Sequence, residues 1–353
     1  MAWIERTTSG TLRYMDRIKL NGKYRKVSVP LYRDTPQARR KAAEDLAEKI
    51  RQLTRPLPEI KLSEAIERYV RRDGIRESTR IYEGSALRIA MNWIGDCRMC
   101  DLSAPLIKRK MLESGEEAKK LNGKLRYIKS LLRWCLDYGY IEDDFISRLR
   151  KFPEPEVDID PRSLYLEPAE LKAALDQLSG MTYYATKFLA LTGCRVGEMS
   201  ALLVSDLDGK YIHITKSYSQ AAKAVTETKT ASSVRDIFVQ PELAELLKEY
   251  NEWRLLYMMS KGIRTDLLFF SASGGYLTEN TLCIALRRKN PKLHPHIFRH
   301  SHTALLADQG VPLEAISRRL GHRDSEITRK VYYHVTERQR SKDEQAMASV
   351  RIL

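Results

Sequence analysis

Hydrophobic and polar positions at the start of this 353-residue chain alternate with a period of two, which is the pattern of strands. Asn21-Gly22 joins two of these runs, and this dipeptide favours a type I′ hairpin. Thr35-Pro36 then begins a helix that continues to about Leu53, with the threonine as N-cap and the proline in the first turn. Residues 1–54 are therefore predicted to form a small domain of one helix and three strands, which are residues 3–6, 11–20 and 23–29.

Residues 61–150 instead repeat apolar side chains at the i, i+3, i+4 spacing of helices. The last of these helices is expected to stop at Gly139, because glycine commonly ends helices. Two segments rich in proline, residues 54–58 and 151–161, are predicted to be the linkers on either side of this helical domain. Its four predicted helices are residues 62–70, 78–94, 104–114 and 122–138.

The third predicted domain, residues 164–353, mixes helical patterns with two strand-like runs. The strands are expected at residues 210–217 and 234–239. The predicted fold is therefore multidomain and mainly α with small β parts: an N-terminal three-stranded sheet plus helix, a helical domain and a mixed α+β domain. Helices are predicted near residues 167–171, 183–191, 242–258, 279–288 and 313–320, with one more opening after Pro295.

The composition indicates a polyanionic partner. The formal charge is +15, and residues 1–53 alone carry 13 basic and 6 acidic side chains. Such an excess is typical of nucleic-acid-binding proteins, although it is also found on solvated surfaces of other basic proteins. The candidate DNA-contact residues are Arg13, Lys19, Lys23 and Arg25 on the hairpin, and Lys124, Arg126, Lys129 and Arg133 on the fourth helix of the helical domain.

Neither a membrane nor an oxidising compartment is indicated. No run approaches the roughly 20 apolar residues that span a bilayer, and the N-terminus lacks the apolar core of a signal peptide. The five cysteines are an odd number without framework spacing, so reduced thiols in a cytoplasm are expected. Cys97-x-x-Cys100 has no second pair and is interpreted as two thiols at a turn.

The third domain contains motifs that suit an attack on a phosphate. Arginine is permanently charged and forked, and it can therefore donate to two oxygens of one phosphate. A tyrosine oxygen can attack phosphorus once the charge of the phosphate is neutralised. The motifs predict phosphoryl transfer through a phosphotyrosine. They are Thr192-Gly-Cys-Arg195-Val-Gly-Glu198, His296-x-x-Arg299, Leu320-Gly321-His322 and Tyr332-Tyr333-His334.

A metal site is the alternative interpretation of the histidines. His296 and His300 have the i, i+4 spacing of zinc-binding helices. The glutamate that usually lies between such histidines is missing, however, and Arg299 would lie beside the metal. The sequence therefore favours a phosphate over a metal, and no cofactor is expected.

Taken in order, Arg195, Lys229, His296-x-x-Arg299, His322 and Tyr332 resemble the catalytic set of the tyrosine recombinases, also called the phage integrase family. The resemblance implies that the arginines and histidines hold the scissile phosphate and that Tyr332 attacks it. It also implies that Lys229, between two strand-like runs, protonates the leaving 5′-oxygen. Two alternatives stay open at this point, which are Lys223 for the lysine and Tyr333 for the nucleophile.

The three-part layout is similar to that of mobile-element integrases with an N-terminal arm-binding domain. The resemblance implies a SAM-like core-binding domain at residues 61–150 and a catalytic domain at residues 164–353. It further implies a homotetramer on double-stranded DNA with core and arm sites, strand exchange through a Holliday junction, and accessory excision or DNA-bending proteins. The C-terminal tail, residues 337–353, is expected to pack on a neighbouring protomer. The alternatives are a type IB-like nicking-closing enzyme and a catalytically silent DNA-binding regulator.

Overall fold

The computed structural model describes residues 2–7, 10–20, 23–54, 59–141, 144–156, 160–227, 233–321, 326–348 and 350. The chain divides into two compact units. The first comprises residues 1–75 and 82–154, and the second comprises residues 76–81 and 155–353. No helix in the described part of the chain is long and apolar enough to span a bilayer.

The first unit contains a three-stranded antiparallel sheet in the order β1-β2-β3. Its hydrophobic core lies between β3 and α1, where Ala42 and Leu46 pack on Val27 and Val29. The Oγ1 atom of Thr35 accepts a hydrogen bond from the backbone nitrogen of Ala38, as expected of an N-cap. The predicted strands and helix are confirmed. Their bounds are β1 Trp3–Arg6, β2 Leu12–Leu20, β3 Lys23–Leu31 and α1 Pro36–Thr54.

The same unit contains three helices and residues 82–94 of a fourth, which share a separate hydrophobic core. One prediction is wrong at its edge, because Phe152 was expected in a linker and instead packs into this core. The side chain of Asn122 holds it by donating to the Phe152 carbonyl oxygen (2.9 Å) and accepting from its nitrogen (2.8 Å). The helices are α2 Leu62–Val70, α3 Glu77–Ile94, α4 Ala104–Glu113 and α5 Ala118–Asp137, the last beginning four residues earlier than predicted.

The second unit is built around two helices that cross its core, α7 and α11, on which Phe188 and Phe298 are completely buried. Two small two-stranded sheets pair β4 with β7 and β5 with β6. The helices are α6 Pro168–Asp176, α7 Gly180–Thr192, α8 Val196–Ala201, α9 Pro241–Lys261, α10 Glu279–Arg287, α11 Pro295–Asp308, α12 Leu313–Leu320 and α13 Glu326–Ala348. The strands are β4 Tyr211–Ile214, β5 Lys216–Ser219, β6 Ala224–Glu227 and β7 Arg235–Phe238.

The structure of this unit differs from the predictions in three places. The run 210–217 is two strands rather than one, because the chain changes partner at residue 215, from β7 to β6. Strand β6 was not predicted, since all four of its side chains are exposed and it therefore has no alternation of buried and exposed positions. The predicted tail begins as a helix, because α13 continues through residue 348.

Candidate phosphate-binding site

Arg195 lies at the junction of α7 and α8, where it occupies the N-cap position of α8. The carboxylate of Glu198 accepts from both the backbone nitrogen of Arg195 and its Nη1 atom, each at 2.8 Å. Glu198 is only 2% exposed, whereas the Arg195 side chain keeps 35% of its surface accessible. The predicted pairing is confirmed, and it leaves part of the guanidinium available to a ligand.

Arg235, from β7, is a second arginine on the same carboxylate. Its Nη1 and Nη2 atoms donate to the two oxygens of Glu198 at 3.2 and 2.9 Å. Burial alone would raise the pKa of Glu198. The hydrogen bonds from Arg235 and Arg195 together with their charges outweigh burial, so the pKa is lowered below its ordinary value. Glu198 is therefore a buried carboxylate that holds two guanidinium groups.

Arg299, in the first turns of α11, is 4% exposed. Its Nη2 atom donates to the carbonyl oxygen of Leu320 at 2.8 Å, and its Nη1 atom donates to that of Gly193. Burial, and after it the positive charge of Arg195, lowers the pKa of Arg299 to about 9. The guanidinium remains charged at neutral pH, and the two arginines are close enough to repel each other. An anion between them would relieve this repulsion.

Two glycines permit this close arrangement. Gly193 and Gly321 both have positive φ, of 64° and 68°, at the ends of α7 and α12. A Cβ atom on Gly193 would lie 2.5 Å from the His302 ring and 2.6 Å from the Leu320 side chain. One on Gly321 would lie 2.9 Å from Nη1 of Arg235. Larger residues at either position would separate the elements that carry the arginines.

His296 is in the first turn of α11, three residues before Arg299, but its side chain is half exposed. Its Nε2 atom lies 3.8 Å from a carboxylate oxygen of Glu279 at the start of α10. The N-terminus of α11 carries a partial positive charge that favours an anion at this point. The joint action of His296 and Arg299 on one phosphate stays a prediction.

The other two histidines of α11 are less exposed than His296, with His302 buried and His300 partly exposed. Burial lowers the pKa of His300 to about 4 and that of His302 to about 3. His302 has no free ring nitrogen, since Nδ1 lies 2.8 Å from the Ala190 carbonyl oxygen and Nε2 accepts from Nε of Arg319. Within the described residues no group of three or more histidine, cysteine or acidic side chains is placed to hold a metal ion.

The two adjacent tyrosines on α13 have different environments. Tyr332 is half-buried and packs on the cluster that contains Leu320, whose carbonyl oxygen holds Arg299. Tyr333 is 53% exposed and lies against Tyr332 with 5.8 Å between ring centroids. This arrangement favours Tyr332 over Tyr333 as the residue that belongs to the site.

Lys229 and His322 lie outside the described residues, so their predicted roles stay predictions. The competing lysine, Lys223, is exposed in the turn between β5 and β6 and has a φ of 51°. It is the one non-glycine residue with positive φ in the described part of the chain.

The eight candidate DNA-contact residues lie on the strands β2 and β3 and on α5. On the sheet, Arg13 is exposed, and its partner across the strands is Pro30, whereas Arg25 lies opposite Ile18, whose side chain packs on the core. Arg13 and Arg25 therefore belong to opposite faces, because cross-strand partners share a face. The side chains of Lys19 and Lys23 lie outside the described part of the structure. On α5, Arg126 and Arg133 are exposed and Lys124 and Lys129 are partly exposed.

Three residues of the site were not predicted to have a role, namely Arg235, His302 and Arg319. A signal for Arg235 does exist, because it shares a strand face with the buried Ile237, and a charged residue at such a position needs a buried partner. No pattern in the sequence pairs Arg319 with His302, since the two lie on different helices.

Comparison with known proteins identifies the family. The phage integrase family model matches residues 165–339. The chain is 31% identical to the prophage ps2 probable integrase of Lactococcus lactis over 96% of its own length and 97% of that protein. It is 26% identical to the ICEBs1 integrase of Bacillus subtilis over 65% of each chain.

Solved structures share the fold. The Tn1549 transposon integrase in complex with a circular intermediate DNA has a TM-score of 0.62 at 20% identity, covering 80% of this chain and 99% of that one. A lambda integrase tetramer bound to a Holliday junction has a TM-score of 0.58 at 17% identity, covering 92% and 96%. The chain belongs to the phage integrase family and is a tyrosine-type site-specific DNA recombinase.

Proposed function

We propose that the chain integrates and excises a mobile element, such as a phage or a conjugative element, by cutting and rejoining DNA at specific sites. The observation that supports this most is the pair Arg195 and Arg299. Arg299 is buried and donates to the carbonyl oxygen of Gly193, two residues before Arg195, and Arg195 keeps part of its surface accessible. Two fixed positive charges, one of them in the first turns of α11, suit a phosphate.

In the proposed reaction, Arg195, His296, Arg299 and His322 neutralise the scissile phosphate and hold it. The hydroxyl oxygen of Tyr332 then attacks phosphorus in line and releases its proton to solvent. A bond from the tyrosine oxygen to the 3′-phosphate forms, and the bond from phosphorus to the 5′-oxygen breaks. Lys229 donates the proton that the leaving 5′-oxygen takes up.

The phosphodiester energy is conserved in the phosphotyrosine, so the proposed reaction needs no metal and no ATP. The 5′-hydroxyl of a second DNA strand attacks the phosphotyrosine, which rejoins the DNA and frees Tyr332. Two such rounds exchange the strands through a Holliday junction. The reaction takes place in the cytoplasm of a bacterium that carries the element.

We propose that residues 61–150 bind the core site through the α5 surface with Arg126 and Arg133. The sheet of residues 1–54 binds arm sites, and Arg13 and the neighbouring basic positions supply affinity through phosphate contacts. Four copies act together, because each of two duplexes is cut on both strands. Excision and DNA-bending proteins set the direction of the reaction.

The test is recombination of two labelled duplexes with the core site, in EDTA and without ATP. Recombinant duplexes and a transient four-way junction are expected. A type IB-like enzyme would relax supercoiled DNA but would exchange no strands between the duplexes. A silent regulator would retard the DNA in a native gel without changing its covalent structure. Either of these outcomes would contradict the proposed function.

A further inference from the structure

Arg319 holds together several elements around the arginine site. It lies in the last turn of α12, and all three of its guanidinium nitrogens donate hydrogen bonds. Nε donates to the ring nitrogen Nε2 of His302 (3.1 Å), and Nη1 donates to the Phe238 carbonyl oxygen (3.1 Å). Nη2 donates to the Leu191 carbonyl oxygen (3.1 Å) and to Oε1 of Gln240 (2.5 Å). This one side chain therefore joins α12 to α7, α11, β7 and the start of α9.

The backbone next to the Arg319 side chain accepts hydrogen bonds from the arginines of the site. The carbonyl oxygen of Arg319 accepts from Nε of Arg235 at 2.6 Å. The next carbonyl oxygen, that of Leu320, accepts from Nη2 of Arg299 at 2.8 Å. Two consecutive carbonyls of one helical turn therefore hold two arginines, and the side chain of Arg319 fixes that turn.

The contact with Arg235 extends to Arg195 through Glu198. Arg235 donates to both carboxylate oxygens of Glu198, and the same carboxylate accepts from Arg195. Both proposed phosphate-binding arginines are thus connected to the turn at residues 319–321 by hydrogen bonds. A displacement of this turn would move Arg299 directly and Arg195 through two hydrogen-bonded groups.

His302 contacts both the Arg319 side chain and the loop at Gly193. Its Nδ1–H donates to the Ala190 carbonyl oxygen, which leaves a lone pair on Nε2 for Arg319. The ring also lies against Gly193, where a Cβ atom would approach it to 2.5 Å, and the Gly193 carbonyl is the other acceptor of Arg299. His302 therefore fixes both the side chain of Arg319 and the loop that accepts from Arg299.

We propose that Arg319 and His302 form a positioning pair. The pair contacts no DNA and fixes the orientation of Arg195 and Arg299 toward the scissile phosphate. This inference rests on the proposed function. The guanidinium of Arg319 is occupied by protein acceptors, which is why it is assigned to positioning rather than to phosphate binding. A small displacement of groups around a reacting centre costs up to about 100-fold in rate.

The test compares the full-length protein with Arg319→Ala in single-turnover formation of the covalent adduct. The substrate is a saturating, nicked suicide duplex carrying the core site, which footprinting defines first. It is prepared with an ordinary scissile phosphodiester and with a methylphosphonate at the same position. The methylphosphonate is uncharged, so its cleavage depends less on correctly aimed arginines.

The expected result is a loss of about 10- to 100-fold on the phosphodiester and a loss below about 3-fold on the methylphosphonate, with DNA affinity unchanged. A merely structural role would slow both substrates equally, and that result would overturn the inference. Arg318→Ala is the matched control, because Arg318 is the exposed neighbour in the same helical turn. Its rates are expected to equal those of the wild type.

Arg319→Lys covers the case in which the alanine variant does not fold, since the lysine keeps a charge for the same acceptors. For Arg319→Lys, a loss of about tenfold in the rate on the phosphodiester, with a smaller loss on the methylphosphonate, supports the positioning pair. A wild-type rate on the phosphodiester overturns the proposal. His302→Phe is expected to show the same dependence on the substrate. A wild-type protein that forms no adduct would overturn the proposed function and this inference with it. If the wild type and Arg319→Ala cleave the phosphodiester equally well, the inference alone is overturned.

Discussion

The arginines and the tyrosine of the site are held in different ways. Arg195 and Arg299 are bound by buried groups, namely the carboxylate of Glu198 and the carbonyls of Gly193 and Leu320. Helix α13, which carries Tyr332, is attached by apolar packing and by contacts near the surface. The polar contacts include a hydrogen bond between Tyr165 and His334 (3.2 Å), ion pairs from Arg338 to Glu167 and Asp308, and hydrogen bonds from Gln339 to Asp308.

The difference indicates which part of the reaction is prepared before DNA binds. Charged groups stabilise a transition state best when they need no reorganisation during the reaction. The buried arginines meet this condition. The nucleophile lies on a helix that is held by the buried Val331 and Val335 and by partly exposed polar contacts rather than by buried charged groups. Substitutions around the arginines should therefore act mainly on chemistry or folding, and substitutions of the partly exposed polar contacts of α13 should act mildly on both.

The largest effect is expected for Arg299→Ala. Loss of one fixed donor to a developing charge typically costs about 100- to 1,000-fold in rate. Adduct formation on a suicide duplex should fall by this amount, while DNA affinity stays within about twofold because many other phosphate contacts remain. Arg299→Lys, which keeps the charge but loses the fork, should retain more activity than the alanine variant. If the alanine variant reacts at the wild-type rate, Arg299 takes no part in the reaction.

Glu198→Ala should destabilise the protein strongly. It leaves two buried or partly buried guanidiniums without their carboxylate, and breaking a buried ion pair costs about 3–5 kcal/mol. Urea unfolding at pH 7 measures the loss, and Glu314→Ala on the exposed face of α12 is the control. The pKa of Glu198 is lowered in the folded state. Its ionisation therefore contributes stability above the ordinary carboxyl pKa, and this contribution is lost as the pH falls through the folded value.

Acid should also destabilise the protein through His302. Its pKa is lowered to about 3 by burial, whereas an unfolded histidine titrates near its ordinary pKa of 6.5. Between these values the unfolded state binds one more proton, so stability falls as the pH falls, by about 1.4 kcal/mol per pH unit. Between pH 6 and pH 4 the free energy of unfolding of His302→Phe should depend less steeply on pH, by the contribution of this one proton. Equal slopes for the two proteins in urea unfolding would contradict the buried neutral ring.

The smallest effect is expected for Arg338→Ala under α13. Its ion pairs to Glu167 and Asp308 are about one-third exposed or more, and such pairs contribute about 0–1 kcal/mol. Adduct formation should change by less than about threefold, and thermal unfolding should shift by only a few degrees. A loss as large as that of Arg299→Ala would show that α13 is held as tightly as the arginines and would remove the contrast.

The sequence predicted what depends on neighbouring residues. The pairing of Arg195 with Glu198 follows from their i, i+3 spacing on one helix, and the structure confirms it. The sheet, α1 and the helices of residues 61–150 were likewise predicted from periodicity, N-cap residues and turn residues. The exposed strand β6 was missed, because periodicity detects a strand only when one of its faces is buried.

Contacts distant in the sequence were beyond this kind of prediction. Arg235 meets Glu198 from 37 residues away and the Arg319 carbonyl from 84 residues away. Such partners are set by how the helices pack, which no local pattern encodes. The burial of Arg299 beside the half-exposed His296 was also not predictable, because i, i+3 spacing gives a shared face but not its depth in the core.

The most direct test of the account is to trap the protein on a nicked suicide duplex and to identify the peptide that carries the DNA. The predicted result is a covalent adduct on Tyr332, formed by the wild type and by Tyr333→Phe and absent in Tyr332→Phe. Tyr333 is the matched neighbour, with the same chemistry and an exposed ring. An adduct on Tyr333, or an adduct that persists in Tyr332→Phe, would contradict the proposed assignment of the nucleophile.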